Sequence, residues 1–388
     1  MEENCVMNTY GRYDVTFEKG LGCKIYDTDG IEYVDFVSGV AVNCLGHSHP
    51  AIINAITTQS SKLMQSSNYY WNTPHKLLAK KLIDNCDHSK VFFCNSGTES
   101  VETALKIARK YGTLKDVKDK NVFIYMDNSF HGRTIGALSV TGQEKYQKDF
   151  LPLIEDRRKV EFNDINDLIK NFDDKVCGII IEPIQGEGGI NIASKEFLKE
   201  ARDLCDKFDA LLIFDEVQCG MGRIGSLFAY KKLGVIPDVI CIAKGLGGGF
   251  PIGATITNAK ASTVLVPGDH GSTFGGNPLG CAVGQAVLTE LVDGGVIDEV
   301  DDKSMYIKER LLKIKEKYGV IDEIKGMGLL IGIRLKTDTK KFCKSCSDKR
   351  LIVTAAGNNV VRLLPPLNVT KLEIDEALDI LEVVISEI

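Results

Sequence analysis

The chain lacks any uncharged apolar run approaching the ~18 residues of a membrane-spanning helix. Its opening, "MEENCVMNTYGRYDVTF", lacks the charged start, apolar stretch and small-residue cleavage site of a secretory leader, so a soluble, unsecreted protein is expected. It lacks a basic excess too: 47 Lys+Arg against 53 Asp+Glu give −6, with the signs interspersed, which argues against nucleic acid or a membrane surface as partner. The 12 cysteines follow no disulfide framework. They sit in apolar contexts such as "VCGIII" and "VICIAK", as reduced, buried thiols of a cytoplasmic enzyme do. Cys343 and Cys346 have no second pair with which to hold zinc and read as structural or incidental. His47 and His49 of "GHSHP" read as a turn, and no metal site is expected. With these classes removed, small-molecule chemistry is the default.

At 388 residues the chain exceeds the ~250–300 at which single cores stop growing, so one large domain with a smaller companion is expected. Short apolar runs, "KVFFCNS", "NVFIYMD", "VCGIIIEPI", "ALLIFDEV" and "DVICIAK", alternate with segments of helical period. That is the pattern of an α/β domain whose mainly parallel central sheet is buried on both faces by helices. In "SGTESVETALKIARK", Val101, Ala104, Leu105 and Ala108 mark the buried face of one helix. After "FGGNPLG" the pattern changes to long amphipathic helices around "GMGLLIGIRL". The expected division is a large domain over 61–276 and a small α+β domain built from 1–60 with 277–388.

Ligands of open parallel sheets sit at the carboxyl ends of the strands, so the residues after each apolar run carry the functional information. After "KVFFC", Ser96 and Glu99 have capping-box spacing, and Gly97 and Thr98 would present free N–H groups at a positive helix end suited to phosphate. After "NVFIYMD", Phe130 suits stacking on a flat ring and Arg133 a bidentate grip on a carboxylate. Asp215 ends "ALLIF", and Lys244 ends "DVICIA" before a glycine loop. A buried carboxylate–lysine pair is a weak source of stability, which raises the odds of a functional role. One ligand uses all of these parts: pyridoxal 5′-phosphate, its phosphate on Gly97 and Thr98, its ring against Phe130, its ring nitrogen on Asp215 and its aldehyde joined as a Schiff base to Lys244. Lys244 would then move the proton, with a pKa shifted down by its surroundings. Glycines 245 and 247–249 are expected to let backbone approach the cofactor.

Six motifs in order, "NSGTESVETALKIARK", "FHGRT", "IEPIQGEGG", "IFDEVQCGMGRIG", "IAKGLGGGFPIGA" and "HGSTFGGNPLG", resemble the subgroup-III aminotransferases of pyridoxal-phosphate fold type I, most closely the acetylornithine aminotransferases. The resemblance covers nearly the whole chain. It implies that Val217 packs on the cofactor ring, that Gln218 approaches the 3′-oxygen, and that Thr273 reaches the phosphate from the neighbouring subunit of a homodimer with shared sites. It further implies that Arg133, with Ser272 of the partner chain, meets the substrate α-carboxylate. Arg362 would take the α-carboxylate of 2-oxoglutarate, with Glu187 pairing with that arginine in one half-reaction and releasing it in the other.

The implied reaction moves the terminal amine of N2-acetyl-L-ornithine to 2-oxoglutarate, a step of arginine biosynthesis. Relatives acting on ornithine usually carry Tyr at the position of Phe274 and a further tyrosine where this chain has Gly39, Val40 and Ala41; losing a polar contact to a free α-amino group favours an acylated substrate. The alternatives are an ω-aminotransferase for ornithine, 4-aminobutyrate or N-succinyl-diaminopimelate and, from another class, a phosphate- or nucleotide-binding α/β protein without this cofactor. Against the last, "GLGGG" follows its apolar run without the GxGxxG spacing, and no GxxxxGK[ST] run occurs.

Overall fold

A computed structural model describes residues 5–388; the first four residues of the expected N-terminal segment lie outside it. Three antiparallel strands come first, β1 (Phe17–Leu21), β2 (Lys24–Asp27) and β3 (Glu32–Asp35). The central sheet then begins with β4 (Lys90–Cys94), β5 (Val122–Met126), β6 (Arg157–Val160) and β7 (Val176–Ile181). A short ribbon of β8 (Ile184–Gln185) and β9 (Asn191–Ile192) follows. The sheet is completed by β10 (Leu211–Asp215), β11 (Val239–Ile242) and β12 (Gly253–Thr257). Its order is β4-β12-β11-β10-β7-β5-β6.

Every neighbour pair in this sheet is parallel except those of β12, which runs antiparallel to both β11 and β4. The five apolar runs are all present as strands. Both β6, "RRKV", and β12, "GATIT", lack a long apolar run, which is why pattern alone passes over them. β5, β7, β10, β11 and β12 are buried at every residue, as helices on both faces require. β4 differs from the expectation: only Phe93 and Cys94 are buried, because the strand stands at the sheet edge.

The helix Gly97–Thr113 buries Val101, Ala104, Leu105 and Ala108 on the sheet, the face expected from its period. Ser96 Oγ caps it by accepting from Glu99 N, but Glu99 reaches back one residue further than a capping box requires, accepting from the N–H of Asn95 at 2.5 Å.

The C-terminal part adds β13 (Ile321–Met327) and β14 (Leu330–Leu335), then β15 (Leu351–Ile352), β16 (Thr354–Ala356) and β17 (Val360–Leu363). In the antiparallel order β13-β14-β17-β16, the helix Val300–Tyr318 packs on β13 and the helix Thr339–Asp348 on β16 and β17, while Lys371–Ser386 packs on Val300–Tyr318, β3 and β15. β15 instead pairs in parallel with β3, which ties the N-terminal strands to residues 351–352. Cys343 and Cys346 are buried one turn apart on the helix Thr339–Asp348, as packing residues. His47 Nε2 meets Asp35 Oδ2 at 2.7 Å, and His49 caps the helix Pro50–Ser60. Among the described residues no single helix is long and apolar enough to cross a membrane.

Candidate active site

The carboxyl ends of β4, β5, β7, β10 and β11 open onto one cavity of about 440 Å³. Its walls include Gly97, Thr98, Phe130, Arg133, Glu187, Asp215, Val217, Gln218 and Lys244. The strand-end rule thus assembles residues spread over nearly 150 positions. Asp215 and Cys241 are register partners on β10 and β11, so the turn after β11 delivers Lys244 beside the aspartate.

Lys244 sits at φ +42, in the left-handed region that costs an ordinary side chain ~1 kcal/mol or more. It opens a single 3₁₀ turn closed by Gly247 N–H donating to its carbonyl at 3.1 Å. Its side chain is reached from the cavity, yet burial lowers its pKa, with the Arg362 cation adding in the same direction. No hydrogen bond or ion pair holds the Lys244 amine among the described residues. The glycines that follow serve mainly the turn itself: a Cβ on Gly247 would lie 1.9 Å from Phe250 O, and only Gly249 of the four borders the cavity.

Asp215 is 5% exposed; its Oδ1 accepts from Val217 N at 3.0 Å and its Oδ2 meets His131 Nδ1 at 2.7 Å. His131 Nε2 is buried without a partner among the described residues. Glu182, immediately after β7, is 4% exposed and lines the same cavity. Its Oε1 accepts from Phe130 N at 2.8 Å and its Oε2 from Gly186 N at 3.1 Å. Burial pushes its carboxyl upward, and nearby Asp215 adds to the rise. Neither residue received a role from sequence. Glu182 follows an apolar run directly, and that was the available signal; His131 adjoins Phe130, yet only folding brings it to Asp215.

Arg133 is exposed, with its guanidinium over the rings of Phe130 and Tyr146 at 5.5 and 4.7 Å. No carboxylate of the described residues pairs with it. Arg362, on β17, is 2% exposed. Its Nη1 donates to Glu187 Oε1 at 2.5 Å and to Gln218 Oε1 at 3.0 Å, while its Nε is buried without a partner among the described residues. Gln218 was expected at a cofactor oxygen; its carbonyl end holds Arg362, and its amide donors remain for that use.

Ser272 and Thr273 do not reach the cavity of their own chain. Ser272 Oγ accepts from Gly275 N at 2.9 Å and Asn95 Nδ2 at 3.2 Å, and Thr273 lines a neighbouring cleft with Phe92, His270 and Phe274.

Solved structures share this architecture. An ornithine aminotransferase from Toxoplasma gondii superposes with a TM-score of 0.94 at 32% identity, over 99% of this chain and 93% of that one. An N-acetylornithine aminotransferase from Stenotrophomonas maltophilia gives 0.86 at 35% identity, over 97% of each chain. The chain therefore has the pyridoxal-phosphate fold type I architecture, and it is an aminotransferase. The family model "Aminotransferase class-III" matches residues 6–385, and the chain belongs to that family. An acetylornithine aminotransferase of Clostridium acetobutylicum is 58% identical over 98% of this chain and 99% of its own length.

Membership implies pyridoxal phosphate as the cofactor, and two features of the site fit it. The N–H groups of Gly97 and Thr98 stand at a helix start and find no acceptor among the described residues, as a bound phosphate requires. A Cβ on Gly97 would lie 2.7 Å from Val217 Cγ1, so only glycine allows that helix end to approach the β10 loop.

Proposed function

We propose that the enzyme moves the terminal amine of N2-acetyl-L-ornithine to 2-oxoglutarate, yielding N-acetyl-L-glutamate 5-semialdehyde and L-glutamate, as a cytoplasmic step of arginine biosynthesis. The observation that carries this reading is the Arg362–Glu187 pair, of which Glu187 lines the cavity and Arg362 is buried behind it. While paired, the arginine is neutralised and an amine-bearing chain enters without meeting a free cation. Released, it offers a fork for one carboxylate of a dicarboxylate, with Arg133 available for the other. The names borne by the Clostridium and Stenotrophomonas proteins favour the acylated substrate.

Bound pyridoxal phosphate supplies an aldehyde that takes up the amine and an electron-poor ring that tolerates negative charge at the substrate carbon. Lys244 would hold it through that aldehyde, Gly97 and Thr98 through the phosphate, and Phe130 and Val217 through the ring faces. Asp215, oriented by His131, would meet the ring nitrogen. Gln218 would offer its amide donors to the 3′-oxygen. The Lys244 amine, its pKa lowered by burial, would carry a proton from the substrate carbon to the former aldehyde carbon of the cofactor.

Ser272 and Thr273 would complete the cavity of a partner subunit in a homodimer. Tyr69 and Trp71, 94% and 76% exposed, stand on the cleft that carries them, as a contact surface requires.

The test is the visible absorption of the cofactor-loaded protein mixed with a single amine and no 2-oxoglutarate. N-acetylornithine is expected to bleach the cofactor band far faster than ornithine, 4-aminobutyrate or N-succinyl-diaminopimelate. Preferential bleaching by one of the others would replace the substrate assignment, and absence of the band would overturn the Schiff-base role of Lys244.

A further inference from the structure

Glu182 bridges two parts of the site that the chain itself keeps apart. Phe130 follows β5 and Gly186 follows β8, and these two strands belong to different sheets. One carboxylate accepts from both backbones, Oε1 from Phe130 N at 2.8 Å and Oε2 from Gly186 N at 3.1 Å. Phe130 lies 52 residues before Glu182, while Gly186 is only four after it. Immediately beyond Gly186 stands Glu187, the partner of Arg362. The bridge also abuts the gate: a Cβ on Gly186 would lie 2.2 Å from Gln218 Oε1, the second acceptor of the same arginine.

We propose that Glu182 is a positioning residue that sets the Glu187–Arg362 pair relative to the Phe130 ring, so that the two substrates are discriminated at a fixed distance from the reacting amine. A carboxylate suits this task because both oxygens accept, whereas an amide offers only one acceptor. The neighbouring carboxylate of Asp215 is committed to Val217 N and His131 and cannot substitute. The proposal rests on the gate function assigned above to Glu187 and Arg362, though its first test does not.

That first test is hydrogen exchange of the cofactor-free protein, read on peptides covering 128–134 and 184–190, for the parent and Glu182→Gln. Loss of one acceptor is expected to speed exchange about tenfold or more in at least one of these peptides, with β10 unchanged. Parent-like exchange in both would overturn the bridge, whatever the substrate proves to be.

The second test is a cycle with Glu187→Gln on the loaded enzyme, using the best amine of the parent and measuring each half-reaction alone. If Glu182 acts through the gate, Glu182→Gln alters the ratio of amine to 2-oxoglutarate rates in the parent. It adds little to that ratio when Glu187 is already replaced. Effects that multiply independently, or an equal slowing of both half-reactions, would reduce Glu182 to a residue of general structure and overturn the proposal. Should Glu182→Gln fold poorly, Glu182→Asp in the same cycle keeps both acceptors on a shorter stem and is expected to change the ratio in the same direction. An unchanged ratio would count against the proposal.

Discussion

Replacing Glu187 by Gln removes the negative charge from the Arg362 pair while keeping the side chain's size. Arg362 is 2% exposed and makes its one ion pair here, with Glu187 Oε1 2.5 Å from Nη1. Opposite charges with centres ~4 Å apart interact by ~4 kcal/mol at an effective dielectric near 20. Glu187 retains 24% side-chain exposure, and the glutamine dipole and Gln218 still solvate the guanidinium, so about half of that, ~2 kcal/mol, is the expected loss. The cation left behind opposes an incoming ammonium, which slows the amine half-reaction about 30-fold. The 2-oxoglutarate half-reaction no longer requires a pair to be broken, so its apparent KM falls. Stopped-flow absorbance on each half-reaction separately reads both effects. An amine half-reaction within about threefold of the parent, or equal slowing of the two, would refute the gate.

Three further outcomes are expected. Lys244→Ala, assayed by single turnover with excess amine, should lose at least the ~10²–10⁴-fold that a positioned general base provides; near-normal transamination would remove the lysine from the mechanism. Gly97→Ala places a Cβ 2.7 Å from Val217 Cγ1, an overpacking of ~1–3 kcal/mol that should weaken cofactor binding about tenfold or more, read by titrating the cofactor-free protein. Glu216, which accepts from Ala229 N and Tyr230 N, has its carboxyl raised by burial from 4.5 to about 7. Its proton is bound more tightly in the folded state, so the associated stability is present below pH 4.5 and is lost as pH rises through 7. Glu216→Gln should therefore gain on the parent by up to ~3 kcal/mol between about pH 5 and 8 in urea midpoints of the cofactor-free protein, and a gain of opposite sign would contradict the assignment.

Much of the site was legible because chemistry in an α/β sheet collects where apolar runs stop. Asp215 and Lys244 each end a run of buried residues, and their strands are neighbours in register. Gly97 and Thr98 open a helix whose period and cap are local features of the chain. Arg362 and Glu187 have no such local signal: they lie 175 residues apart and were reached only through family resemblance. Glu182 carried the signal but was passed over, since a glutamate before proline gives no hint that both of its oxygens will find backbone donors. β12 was missed because five residues with two threonines and one glycine are too short and polar to show a period.

What the sequence by itself determined is local: which runs are strands, which residues stand at their ends, and the turn that lifts Lys244 out of β11. Periodicity and capping act over a few residues, so neighbours in the chain suffice to specify them. The tertiary structure decided the pairings: His131 on Asp215, Glu182 across Phe130 and Gly186, Arg362 between Glu187 and Gln218, and the placing of Ser272 and Thr273 in a different cleft from Lys244. A buried polar group must find a partner, and which partner lies within hydrogen-bonding distance is set by how distant strands and loops pack.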